Sequence, residues 1–167
     1  MKISIVQLSV PVMSMLAAGD LAGARESSGL PLTEYFVGER GLRTWRRRAG
    51  QVTAEPADGP WVQGAVVTAG GEVVGWSGFH GRPDDEGVVE VAYAVDPDCR
   101  RRGYAKAMLR YLLDRAAAEP GVTTVRATIS PDNAGSLATL AGTGFEQAGE
   151  HIDEEDGLEL IFLRPAR

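Results

Sequence analysis

Val95-Asp96-Pro97-Asp98-Cys99-Arg100-Arg101-Arg102-Gly103-Tyr104-Ala105 is the stretch on which the fold turns. Before it, Val88 to Val95 has the β-branched content of a strand buried on both faces, and Pro97, which cannot donate to a sheet ladder, ends that strand. After it, Met108, Leu109, Leu112, Leu113 and Ala116 give Tyr104 to Ala118 one apolar helical face, closed by Pro120-Gly121. A strand, a short basic turn and a helix start together make an anion site, because the first N–H groups of a helix lack partners and its macrodipole is positive there. Gly103 and Ala105 are small enough to let a pyrophosphate reach those donors, and Arg100, Arg101 and Arg102 add charge without blocking the approach. An ordinary solvated helix start is the alternative.

Toward the N-terminus, Val62 to Thr68 and Glu72 to His80 read as strands joined by a Gly-rich hairpin at Ala69-Gly70-Gly71. Gly81 to Gly87 is a polar loop. Pro56 to Pro60 is another loop, and Glu39 to Ala49 is a helix with Leu42, Trp45 and Ala49 on one face and its arginines on the others, stopped by Gly50. Before that lie a helix starting after Ser9, a second capped by Asp20 and ending near Gly29, and a short strand at Ile3 to Gln7. Toward the C-terminus follow a strand at Thr124 to Ile129, a helix from about Ala134 to Ala141, and strands at Phe145 to Asp153 and Leu158 to Phe162 around a turn at Glu154 to Gly157. The order predicts an α/β (α+β) fold, a mixed sheet with helices on its faces, in one domain over residues 1–167: a helical part, 1–60, and a sheet core, 61–167.

Composition narrows the function. A net charge of −6 argues against a broad nucleic-acid-binding face, and no apolar run approaches the roughly 20 residues of a membrane span. The single cysteine, Cys99, and the lack of a signal-peptide pattern lead us to expect a cytoplasmic location. His80, His151 and Cys99 have no metal-ligand spacing, so no metal is expected.

With Arg100, Gly103 and Ala105, the basic turn resembles the Gln/Arg-x-x-Gly-x-Gly/Ala acyl-CoA motif of the GNAT superfamily. Ser130-Pro131-Asp132-Asn133 with Ser136 and Gly144-Phe145 resembles the second motif of that family. Gly78-Phe79-His80-Gly81 and Val89-Glu90-Val91-Ala92-Tyr93 look like the branch related to ribosomal-protein N-terminal acetyltransferases, so the resemblance covers roughly Trp61 to Arg164. It implies a central sheet of about six to seven strands, splayed into a V between the Val88 to Val95 and Thr124 to Ile129 strands. The pantetheine arm of acetyl-CoA would lie in that V, against backbone near Ala94 and Val95, with Asn133 and Ser136 on the other side. Tyr104 falls inside the phosphate motif and reads as a packing residue there.

Along the central strand Glu90, Ala92 and Ala94 alternate onto one face, and Val89, Val91, Tyr93 and Val95 onto the other. By resemblance Glu90 is the general base that deprotonates the acceptor amine. His80 and Tyr93 are candidate substrate contacts, with Trp76 and Phe79 as pocket walls. Many relatives carry a tyrosine that protonates the leaving thiolate; the corresponding position here is Leu140, and no general acid is assigned. Asp84, Asp85, Glu86, Asp153, Glu154, Glu155 and Asp156 are plausible attractors for a cationic amine, although charged hairpin loops are usually just solvated.

The expected activity is acetyl transfer from acetyl-CoA to a primary amine, on a protein N-terminus, a lysine or a small molecule, with no metal. One alternative is an acyl-CoA-sensing module that keeps Arg100 to Ala105 but lacks proton-transfer groups. Another is a nucleic-acid adaptor using Arg43, Arg46, Arg47 and Arg48, which the acidic balance disfavours. Similar proteins often dimerise through sheet edges or the C-terminal hairpin, and the sequence leaves a homodimer open.

Overall fold

Backbone hydrogen bonding in the computed structural model, which describes residues 1–167, follows the expected order of elements closely. The N-terminal part comprises β1 (Ile3–Val6), α1 (Val10–Ala17), α2 (Leu21–Ser28) and α3 (Glu39–Ala54). The core adds β2 (Gly64–Thr68), β3 (Val73–Phe79), β4 (Val88–Val95), α4 (Tyr104–Ala118), β5 (Thr124–Ile129), α5 (Ala134–Leu140), β6 (Glu146–Asp153) and β7 (Gly157–Pro165). Single 3-10 turns occur at Glu34–Val37, Pro56–Asp58 and Pro97–Cys99.

Local chemistry explains the first helices. The Ser9 hydroxyl accepts from the Val12 N–H with Pro11 in the first turn, and Asp20 accepts from the Gly23 N–H before Gly29 closes α2 in the left-handed conformation. Gly50 does not stop α3, which runs on to Ala54. A glycine inside a helix costs only about 1 kcal/mol, whereas Trp45, Ala49 and Val52 continue a buried stripe across it. Arg48 belongs to that stripe and is buried too, contrary to the expected outward position of all the arginines. Gly41 is required by close approach: a Cβ there would lie 2.2 Å from the Phe36 carbonyl oxygen.

The seven strands form one sheet in the order β1-β2-β3-β4-β5-β7-β6, antiparallel throughout except between β4 and β5. The opening strand is therefore an edge of the same sheet, not part of a separate helical unit. On one face the helices of the N-terminal part bury Met13, Leu16, Phe36 and Trp45 against Trp76 and Ala94. On the other, α4 buries Leu109 and Leu112 against Phe79, Val89, Val91, Val125 and Ala127. β4 is thus not buried evenly on both faces; its residues alternate, and Glu90 and Ala92 stay partly open.

Where β4 meets β5 the sheet divides. Their parallel pairing covers Val88 with Thr124, Val89 with Val125 and Glu90 with Arg126, and stops. β3 continues to pair with β4 through Val95, and β7 with β5 through Ile129. Past Glu90 the two strands separate, each keeping one unpaired backbone edge toward the other. β7 is longer than expected at its C-terminal end because Leu163 to Pro165 pair with Arg126 to Thr124.

Candidate active site

Between β4 and α4 the chain makes a donor-rich turn. Asp96 holds its start, accepting from the Asp98 N–H at 3.0 Å and from the Thr33 hydroxyl at 2.5 Å. Arg101 (φ 57°) and Gly103 (φ 86°) are both left-handed, and no side chain caps α4. In consequence the backbone N–H groups of Arg101 through Lys106 donate to nothing within the chain, forming a run of convergent donors at a helix N-terminus. Gly103 leaves the approach open, and a side chain there would have to adopt a strained backbone. The Arg100, Arg101 and Arg102 side chains are exposed around this turn, and Ala105 is half-buried inside the first helical turn. The Tyr104 ring packs as expected, buried with Val66, Val74 and Met108 under the Arg102 guanidinium. Only its N–H faces the turn. Cys99 is buried beside Glu72, and burial raises its thiol, so it carries no nucleophile.

From the open edge of β4 a cavity of about 930 Å³ extends under α3. Glu90, Ala92 and Thr128 line it from the sheet, and Tyr93, Asn133 and Ser136 from the splay. Arg40, Arg43 and Arg47 line it from α3, and His151, Asp153 and Glu159 from the β6–β7 hairpin. The expected site residues therefore divide into two groups. Arg100 to Ala105 lie at the α4 turn, whereas Trp76, His80, Glu90, Tyr93, Asn133 and Ser136 line the cavity; Ala94 and Val95 lie on the strand between them.

Several assignments need correction. Trp76 is 2% exposed, stacked on Tyr35 at 4.6 Å and edge-on to Phe36 and Trp45, so it backs the cavity from within the core. Phe79 is no wall at all. Three residues along β3 from Trp76, it points to the opposite face and packs under α4 with Trp61. The Asn133 side-chain oxygen is engaged, capping α5 through the Ser136 N–H at 3.1 Å. The acidic and basic runs meet in part: Arg47 lies 3.0 Å from Glu155 and Arg43 lies 3.3 Å from Asp156. Those two arginines and two hairpin carboxylates are therefore turned toward each other. Asp84 instead accepts from the Glu86 and Val88 N–H groups of its own loop.

Glu90 accepts from the Thr128 hydroxyl, and the Nδ1 atom of His80 lies 3.6 Å from its Oε1. Burial lowers the His80 pKa; Glu90 pulls it up, and the guanidiniums of Arg48, Arg47 and Arg126 push it down again. The outcome is a neutral imidazole beside a carboxylate. Arg48 donates to Gln63 and Gln51, each at 2.6 Å, and to the His80 carbonyl at 3.2 Å; burial drops its own pKa to about 10. Sequence reasoning missed Arg48, Gln63, Thr128 and Arg126. The one available signal was that Arg48 lies three residues after Trp45, on the buried stripe of α3.

Burial pushes the Tyr93 hydroxyl up to about 12, and it has no partner at hydrogen-bond distance, with Ser136 as its polar neighbour. Leu140, at the position where the resemblance implies a tyrosine, is buried in the core beneath α4. In the hairpin wall, burial and then Asp153 raise Glu159, which lies 3.3 Å from His151. The ligand atoms of His151, Asp153 and Glu159 fall within 4.8 Å of one another, although Asp153 already accepts from the Glu155 and Asp156 N–H groups.

This geometry agrees with what the chain is similar to. An N-acetyltransferase of Bacillus subtilis, YjdG, whose function is uncharacterized, is 36% identical over 74 residues, 44% of each chain. The L-2,4-diaminobutyric acid acetyltransferase of Nocardia farcinica is 42% identical over 77 residues, 46% of this chain and 39% of that protein. The chain thus matches less than half the length of either curated relative. The spermidine N-acetyltransferase of Vibrio cholerae, solved in complex with CoA and spermine, superimposes with a TM-score of 0.69 over 98% of this chain and 95% of that one. At 12% identity that likeness shows the fold. The family model for the Acetyltransferase (GNAT) family matches residues 29–145, beginning well before the Trp61 boundary expected from motifs, and the chain belongs to that family.

Proposed function

We propose that this chain is an N-acetyltransferase that uses acetyl-CoA to acetylate the primary amine of a small acceptor. The observation that carries the reading is the continuity of three features. A run of unpartnered N–H donors at α4 leads to the open backbone edge of β4, and that edge ends at the cavity holding Glu90. The donors and Arg100 to Arg102 suit a diphosphate, and the unpaired strand edge suits the amide groups of a pantetheine arm. Bound there, acetyl-CoA supplies an activated acetyl group whose transfer requires a neutral amine. Glu90 is the proposed base. It is half-buried, held by Thr128, and faced by an imidazole that its surroundings keep neutral and able to pass a proton on. The curated relative named for diaminobutyric acid supports a small acceptor with an amine. A protein N-terminus, implied by the ribosomal branch resemblance, suits the cavity less well, because α3 and the β6–β7 hairpin are tied together over it by Arg43 and Arg47.

The test pairs calorimetric binding of acetyl-CoA to wild type and Gly103→Glu with a screen of amines for CoA release. We expect tight binding to wild type, loss of binding in the variant because it adds bulk and negative charge among the donors, and release with small amines. Binding without release on any amine favours a sensing module, and no binding overturns the proposal.

A further inference from the structure

Beside the proposed base, the acceptor cavity holds two guanidiniums that have no ion-pair partner, those of Arg126 and Arg48. The side chain of Arg126, on β5 directly across from Glu90 in register, makes no hydrogen bond, and its buried Nε has no partner. Arg48 is 6% exposed and bonded only to neutral groups, two glutamine oxygens and a main-chain carbonyl. Neither has a carboxylate within 4.0 Å, while Arg43 and Arg47 on the rim are both ion-paired. The acids nearest the proposed base and in the hairpin wall are engaged elsewhere: Glu90 with Thr128 and His80, Glu159 with His151, Asp153 with the hairpin backbone and Asp156 with Arg43.

A buried cationic group without a counter-ion is costly, and proteins normally pair it; Arg48 is buried, and Arg126 is half-buried with its Nε enclosed. Here the pair is incomplete in a cavity that also holds the proposed base, so the missing anion is one that arrives with the substrate. An acceptor carrying only ammonium groups would bring like charge against Arg126 and Arg48. A molecule with both an amine and a carboxylate would complement both sides.

We infer that the acceptor is a small amino acid with a reactive side-chain amine, its carboxylate held by Arg126 with Arg48 behind it and its amine directed to Glu90. This rests on the acetyltransferase reading above and adds to it the anionic half of the substrate. The planar fork of Arg126 suits a carboxylate in a two-bond geometry that a lysine cannot reproduce.

The experiment compares matched pairs that differ only in the carboxylate: 2,4-diaminobutyrate with 1,3-diaminopropane, and ornithine with putrescine. CoA release is measured for wild type, Arg126→Gln and Arg126→Lys. We expect wild type to favour the amino acid of each pair in kcat/KM. Arg126→Gln should shrink that preference about tenfold or more, chiefly through KM, and Arg126→Lys should recover it only in part. A wild-type preference for the plain diamines, or a preference that Arg126→Gln leaves unmoved, overturns the inference. Calorimetry of 2,4-diaminobutyrate against the protein saturated with CoA provides a readout independent of turnover. Absence of release on every amine would count against the acetyltransferase reading, and whether the amino acid binds wild type but not Arg126→Gln would still decide the acceptor.

Discussion

The protonation of His80, 3.6 Å from Glu90, is set by opposing charges. Desolvation and three arginines hold His80 below its ordinary value of 6.5, and Glu90 is the group pulling it back up. The acid limb of kcat/KM for wild type should therefore lie below pH 6.5, since the imidazole stays neutral as pH falls past that point. The same shift acts on stability. The folded pKa is lower than the unfolded one, so the unfolded chain takes up the proton first and stability declines as pH drops through 6.5. Glu90→Gln should lower kcat by about 10²-fold or more, as expected for loss of a positioned base. It should also remove the charge that pulls His80 up, moving the imidazole further below its ordinary value. Full turnover by the variant from about pH 6 to 9 would rule out Glu90 as base.

α3 illustrates how an element can tolerate a weak residue when its packing is strong. Gly50 is exposed in the helix interior, a Cβ added there would meet nothing within 4 Å, and its backbone is ordinary helix. Gly50→Ala should stabilise the protein by about 0.5–1 kcal/mol, by removing backbone entropy from the unfolded chain without any clash. Urea denaturation with an unchanged m-value is the check, and a loss of stability would contradict the continuous helix. The turn into α4 behaves oppositely. Gly103 caps that helix in the left-handed region, and its neighbouring donors have no capping side chain, the geometry on which the proposed diphosphate site rests. Element by element, the sequence was legible where the signals are local. The Ser9 and Asp20 caps, the α4 stripe and the β4 boundary at Pro97 all appear where spacing puts them. Gly50 misled because a local breaker was weighed without the burial of Val52 beyond it.

At the scale of the molecule, Arg48 ties the helical layer to the sheet through Gln63 on the approach to β2 and the His80 carbonyl after β3. Arg48→Met would leave the buried Gln63 oxygen without its donor. We expect destabilisation of about 1–3 kcal/mol, moderated because the cost of burying a charge disappears with it. Thermal and urea unfolding would measure this, and an unchanged midpoint would remove Arg48 from the framework of the site. The sequence by itself determined the strand-turn-helix junction of the proposed anion site and the alternation that sends Glu90 and Ala92 to one face. It also carried the family, because each of these lies in a contiguous run whose backbone periodicity and donor geometry are local properties. The tertiary structure alone decided that Arg48, His80, Glu90, Arg126 and Glu159 share one cavity, that Trp76 and Phe79 face opposite layers, and that Glu155 and Asp156 of the hairpin pair with α3. Those outcomes depend on strand order, register and the splay after Glu90, which are fixed by contacts between residues far apart in the chain.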